Sequence, residues 1–215
     1  MLPRATLEDR LHKMQECDPL LVRGMDYEAA INWTSLMYAA EKGYSVVSMI
    51  RVADVNKADM KGWTPLMKAC SNGHDKCALE LIKAGAAVDH AESQGETALM
   101  LAAQNNHEQC ALELLKAKAN VNAAANDGFT ALMLSAQNGH EQCARALIEA
   151  GANVNHANGK HVTALNMSCE NEHEMCATLL LRAGAHTDVA DDWGDTPLSI
   201  AEKKGLGAVL ALMKA

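Results

Sequence analysis

Aromatic residues are nearly missing from this chain: three Trp, three Tyr and one Phe make up 3% of 215 residues. A core without rings must be filled by Ala, Leu and Met, and such small or unbranched residues suit closely packed helices. Long apolar runs are missing too. No stretch approaches the roughly 18 uninterrupted apolar residues of a membrane span, and Pro3, Arg4, Glu8, Asp9 and Arg10 stand where a signal peptide needs its apolar segment. Positive charge is in deficit, with 19 Lys and Arg against 27 Asp and Glu and a net charge of −8. An acidic surface repels phosphate backbones, which argues against nucleic acid as a partner. The seven cysteines are an odd number with no CxxC pair, a pattern of reduced thiols rather than a disulfide framework. We therefore expect a soluble, monomeric protein of the cytoplasm, with the nucleus as the other compartment, and no cofactor.

What is present is a folded composition, 49% hydrophobic, organised by a period. Thr64, Thr97, Thr130, Thr163 and Thr196 are 33 residues apart, and Thr34 precedes Thr64 by 30. The same frame recurs around them: Gly62-Trp63-Thr64-Pro65-Leu66, Gly95-Glu96-Thr97-Ala98-Leu99, Gly128-Phe129-Thr130-Ala131-Leu132 and Gly194-Asp195-Thr196-Pro197-Leu198. Six units result, starting near residues 31, 61, 94, 127, 160 and 193. Thr64 sits where an N-cap belongs, and Pro65 at the first helical position, where its missing N–H costs nothing. Gly43, Gly73, Gly139 and Gly205 stand where the first helix should stop. His74 opens a second helix, with Cys77, Ala78, Leu81 and Ile82 inward at helical spacing. One such pair cannot bury its apolar face alone, so the units must stack.

The frame GxTxLMxAAxxGHxxCAxxLLxAGAxVN resembles the ankyrin repeat, with its 33-residue unit, hairpin turn, two antiparallel helices and T-P-L-H-x-A signature. The resemblance covers the chain from about residue 31. The signature His is replaced by Met37, Met67, Met100 and Met133, then by Asn166 and Ser199. It implies an all-α ankyrin-repeat solenoid over 31–215. Residues 1–30, with Leu7, Leu11 and Met14 at helical spacing, read as an N-terminal capping half repeat. Glu202, Lys203 and Lys204 mark the last repeat as a C-terminal cap. The fifth repeat looks weakest: His161 and Glu172 replace Gly, and Asn166 interrupts the Met row.

Chemistry-bearing residues recur with the repeat, as scaffold does. His-x-x-Cys occurs at His74/Cys77, His107/Cys110, His140/Cys143 and His173/Cys176. Both are zinc ligand types, but each unit supplies two ligands where a structural site needs four. The Cys column also holds Val47 and Val209 in the first and last repeats, and buried Cys behaves as a small hydrophobe. Core packing is the stronger reading, for this row and for the Met row. No GxGxxG, phosphate loop or HExxH occurs, so no enzyme is expected. The resemblance also implies that Asn in Val-Asn before the hairpin can be hydroxylated, a pattern met by Asn56, Asn122 and Asn155.

By the same resemblance, a protein partner is gripped by hairpin residues and exposed first-helix ends lining a concave face. The residue before each Thr runs Trp33, Trp63, Glu96, Phe129, Val162, Asp195, a column to which the repeat itself assigns no residue type. With Lys61, Gln94 and Asp127 beside it, and Asn72, Asn105 and Asn138 at the helix ends, this column is the candidate binding set. Trp33 and Trp63 either anchor a partner or pack against neighbouring hairpins. The expected role is a scaffold: an adaptor, an inhibitor or an assembly factor whose partner offers an apolar and basic patch. The other reading is a fragment of a larger ankyrin-containing protein whose activity lies in another domain.

Overall fold

The computed structural model describes residues 34–50 and 53–214. The half repeat assigned to 1–30, Cys17 and Trp33 lie outside them. Twelve helices occur among the described residues, with no strand longer than an isolated bridge. First helices are α1 (Ser35–Lys42), α3 (Pro65–Ser71), α5 (Ala98–Gln104), α7 (Ala131–Gln137), α9 (Ala164–Glu170) and α11 (Pro197–Lys204). Second helices are α2 (Val47–Ile50), α4 (Asp75–Lys83), α6 (Glu108–Lys116), α8 (Glu141–Glu149), α10 (Glu174–Arg182) and α12 (Gly207–Met213). Each first helix packs on the next first helix, and from α4 onward each second helix packs on the next second helix. The protein is an all-α solenoid with one continuous core.

Each first helix starts for a local reason. Thr34, Thr64, Thr97, Thr130, Thr163 and Thr196 are N-caps in extended conformation, each accepting the backbone N–H three residues on. That third position is the Met column, where Met37, Met67, Met100 and Met133 are buried at 0–1% exposure. Asn166 and Ser199 close reciprocal capping boxes there instead. Asn166 also donates to the Asp195 carbonyl of the next repeat at 3.4 Å. It is a link between repeats, not a defect.

The second helices bury Cys77, Ala78 and Leu81, then Cys110, Ala111 and Leu114, then Cys143, Ala144 and Leu147, then Cys176, Ala177 and Leu180. Val209 joins this row at 0% exposure, but Val47 does not, at 55%; Val46, at 0%, is buried in its place. The first repeat is three residues short, and its second helix is described over Val47–Ile50. Its buried valine therefore lies just before the helix rather than inside it.

Left-handed backbone recurs after each first helix, and Gly is not always there. His161 and Glu172 do have positive φ, 56° and 61°, but so do Asn106 and Lys118 of the third repeat, 61° and 64°. The fifth repeat is thus not singular in this respect. Its His161 is further tied to Asp192 by a 2.7 Å Nδ1–Oδ1 contact.

Candidate partner-binding face

The hairpins owe their shape to a column that sequence reading overlooked. Asp59 Oδ1 accepts the Lys61 and Trp63 N–H groups, both at 2.9 Å. Asn158 does the same for Lys160 and Val162, and Asp191 for Trp193 and Asp195. Glu92 reaches Gln94 and Glu96 at 2.6 and 3.3 Å. A side-chain oxygen that accepts from its own turn fixes the tip without secondary structure. The fourth repeat has Ala125 at this position, and Asp127 takes over by accepting the Phe129 N–H at 3.1 Å. The signal was visible as an acid three residues before three of the Gly-x-Thr frames, Asp59, Glu92 and Asp191, and as Asn158 before His161-Val162-Thr163.

Successive tips are laced together. Ser93 N–H donates to the Lys61 carbonyl, Asn126 N–H to Gln94 and Asp192 N–H to Lys160, all within 3.1 Å. His90 and His156 reach the Gly62 and Gly128 carbonyls of the preceding tips. The candidate side chains therefore project from a fixed row.

Trp63 is half-buried and packs against the core, with the Lys68 ammonium 4.5 Å from its ring centroid. Lys68 also lies 3.8 Å from Glu41 of the first repeat. Phe129 and Val162 of the same column likewise rest half-buried on the core. Glu96 is half-buried between them, and its carboxyl is pushed up from the ordinary range by burial, then by the charges of Glu92 and Asp127. Lys61, Gln94 and Asp127 are exposed. Asn72, Asn105 and Asn138 are exposed too, but each donates its amide back to the carbonyl four residues earlier at 2.8–2.9 Å, closing its own helix.

The recurring His and Cys residues separate. His74, His107, His140 and His173 place Nε2 within 2.9–3.1 Å of the Glu41, Ser71, Gln104 and Gln137 carbonyls of the preceding repeat, so Nε2 donates. The paired thiols turn into the core. Burial pushes Cys77 up to about 12 and Cys143 and Cys176 to about 11, away from the thiolate that nucleophile or metal chemistry needs, while a side-chain hydrogen bond with the buried Cys70 lowers Cys110. Asn56, Asn122 and Asn155 each accept a backbone N–H of the next repeat, those of Ala87, Asn153 and His186, at 2.7–2.8 Å. No helix among the described residues is long and apolar enough to cross a membrane.

Stacked helix pairs with laced tips define a helical-repeat protein, built of units that each lean on their neighbours. Family models described as ankyrin repeats match residues 11–92, 36–125 and 81–158 in three-copy form and 136–181 in a many-copy form. The matches span 11–181, and the chain belongs to the ankyrin-repeat family. A search of curated proteins returns no match. Ankyrin repeats are in general modules of protein–protein interaction.

Proposed function

We propose that the chain acts as an adaptor, inhibitor or assembly factor, occupying a partner protein through its hairpin tips and first-helix ends. One observation supports this reading above others. Glu96 is held half-buried against Glu92 and Asp127, in the column that also presents Trp63 and Phe129. Like charges gathered on half-buried carbonyl-laced turns are unfavourable alone and favourable once a cation arrives. The partner accordingly offers an apolar anchor for Trp63 and Phe129 and a Lys or Arg for Glu96. Because protonation removes the charge that the cation meets, affinity falls as pH drops through the raised Glu96 range.

The test is comparative capture from the native cell with the unaltered protein, Glu96→Lys and Lys76→Glu. Lys76 is exposed on the second-helix side of the same stack. Proteins kept by Lys76→Glu and lost by Glu96→Lys are the expected partners. An identical captured set for all three would dismiss the hairpin face.

A further inference from the structure

The outer faces of the second helices change character along the stack. One column runs Lys76, Gln109 and Gln142, then Met175 and Ala208; the column four residues on runs Glu80 and Glu113, then Ala146, Leu179 and Leu212. On α4, α6 and α8 these faces close on their own polar partners. Glu80 accepts the Val46 N–H at 2.8 Å, Glu113 accepts from Gln109 and Lys116 at 3.0 and 2.8 Å, and Glu141 meets Arg145 at 2.8 Å. On α10 and α12, which pack side by side, the same columns are apolar. Met175 is 60% exposed and Leu212 40%, and Ala208 and Ala211 are exposed with them. Apolar side chains gathered on adjoining helices, rather than scattered singly, mark a contact surface.

Charges stand ready at the rim of this face. Glu174 opens α10 and Arg182 closes it; both are exposed, and neither enters an ion pair among the described residues. Eight residues of helix hold them about 12 Å apart, too far to pair with each other.

We propose that this face of repeats five and six docks one short amphipathic helix of a partner protein, laid antiparallel to α10 in the groove between α10 and α12. Its size selects the occupant. The nine-residue α10 is about 13 Å long, and with α12 about 10 Å away the pair presents roughly 250 Å² outward. A stable dimer buries about 800 Å² on each partner, so a second copy is poorly served. A single helix, about 10–12 Å across, fills the groove with apolar residues at i, i+3 or i+4 and i+7. Charge sets its direction. The first turn, where the helix dipole favours acid, meets Arg182, and a basic last turn meets Glu174. The face shares no residue with the hairpin column, so it is a second docking surface independent of the first.

The test uses a synthetic Ala-rich helical peptide of about four turns, with Glu in the first turn, Leu at i, i+3 and i+7, and Lys in the last turn. Added to the full chain, it should shift backbone amide NMR signals of 174–182 and 207–213 and leave 60–63 and 93–96 unmoved. Met175→Lys with Leu212→Lys should weaken binding at least about tenfold. Should that pair unsettle the fold, Met175→Gln, which copies Gln142 of the preceding repeat, decides in its place. Arg182→Glu should also weaken binding, and a peptide with Lys in its first turn should regain it. No binding, equal binding of a peptide with its leucines scattered, or shifts confined to the hairpins would overturn the proposal. Self-association of the chain that Met175→Lys abolishes would overturn it in favour of a second copy.

Discussion

Asn122 shows how much of the stability of this stack rests on single side chains that bridge repeats. Its Oδ1 accepts the Asn153 N–H at 2.7 Å, and its Nδ2 donates to the Gly151 carbonyl at the weaker distance of 3.4 Å. Asn122→Ala removes both. A neutral hydrogen bond contributes about 0.5–1.5 kcal/mol net. The site is exposed, so water partly satisfies the groups left behind, and we expect a loss of about 1 kcal/mol. For a chain of about 150–250 residues that is about 2–4 °C in Tm. Asn122→Asp should cost less than half as much, because the short bond survives and gains charge. The protein holds its own precedent: Asp89 occupies the same column and accepts the Asn120 N–H at 2.7 Å. The interface between repeats three and four takes the loss, so hydrogen exchange at Asn153 should quicken while that at Asn120 stays fixed. Thermal melts and exchange on the two variants measure both effects. Equal destabilisation by Ala and Asp would refute the assignment of the energy to the accepting oxygen.

Three further outcomes follow from other parts of the stack. Trp63 buries roughly two thirds or more of about 200 Å², worth about 3–4 kcal/mol, and the Lys68 contact adds about 0.5–1 kcal/mol. Trp63→Ala should thus lower Tm by several degrees and, in the fraction still folded, weaken partner capture at least about tenfold; normal capture by that fraction would make Trp63 packing alone. Glu96 has its carboxyl raised in the folded state, so ionisation opposes folding: its contribution is favourable below the unfolded carboxyl range and is lost as pH rises through the raised value. Glu96→Gln should therefore raise Tm at pH 7 and leave it unchanged at pH 3, and a gain that persists at pH 3 would point to packing instead. Lys118 holds a φ of 64° where Gly85, Gly151 and Gly184 stand in other repeats; a left-handed non-Gly residue costs about 1–2 kcal/mol, partly offset by the entropy Gly loses on folding. Lys118→Gly should stabilise by about 0.5 kcal/mol in denaturant melts, and a loss of stability would show that the Lys side chain contributes more than its backbone costs.

The weakness expected of the fifth repeat from its left-handed residues is shared by the third. With Asn106 and Lys118 left-handed as well as His161 and Glu172, both repeats carry two such residues. Asn is the best tolerated of the four, so strain in the third repeat concentrates at Lys118. The fifth repeat has compensations in the Asn166 capping box and the His161–Asp192 contact.

The row of Thr caps, the buried Met and Cys columns and the 33-residue spacing were legible because each depends on residues within one unit. A cap is an i→i+3 contact, and an inward face is a matter of helical period. The candidate column before each Thr was legible for the same reason, as the place where the repeat assigns no residue type. Asn72, Asn105 and Asn138 look like free contact residues in sequence, and only the folded helix shows their amides turned back on their own carbonyls. Val46 in place of Val47 could not be read from alignment of units, because a shortened repeat shifts its helix against the neighbour that buries it.

The destinations of the polar side chains belong to the tertiary structure alone. His107 reaches Ser71, Asn122 reaches Asn153 and His156 reaches Gly128, each 28–36 residues away. No local preference points a ring or an amide at a carbonyl in another unit; the distance exists only after the units stack. The repetition of residues thus determined what each unit is, and the stacking decided which of its polar groups bind the scaffold and which stay exposed.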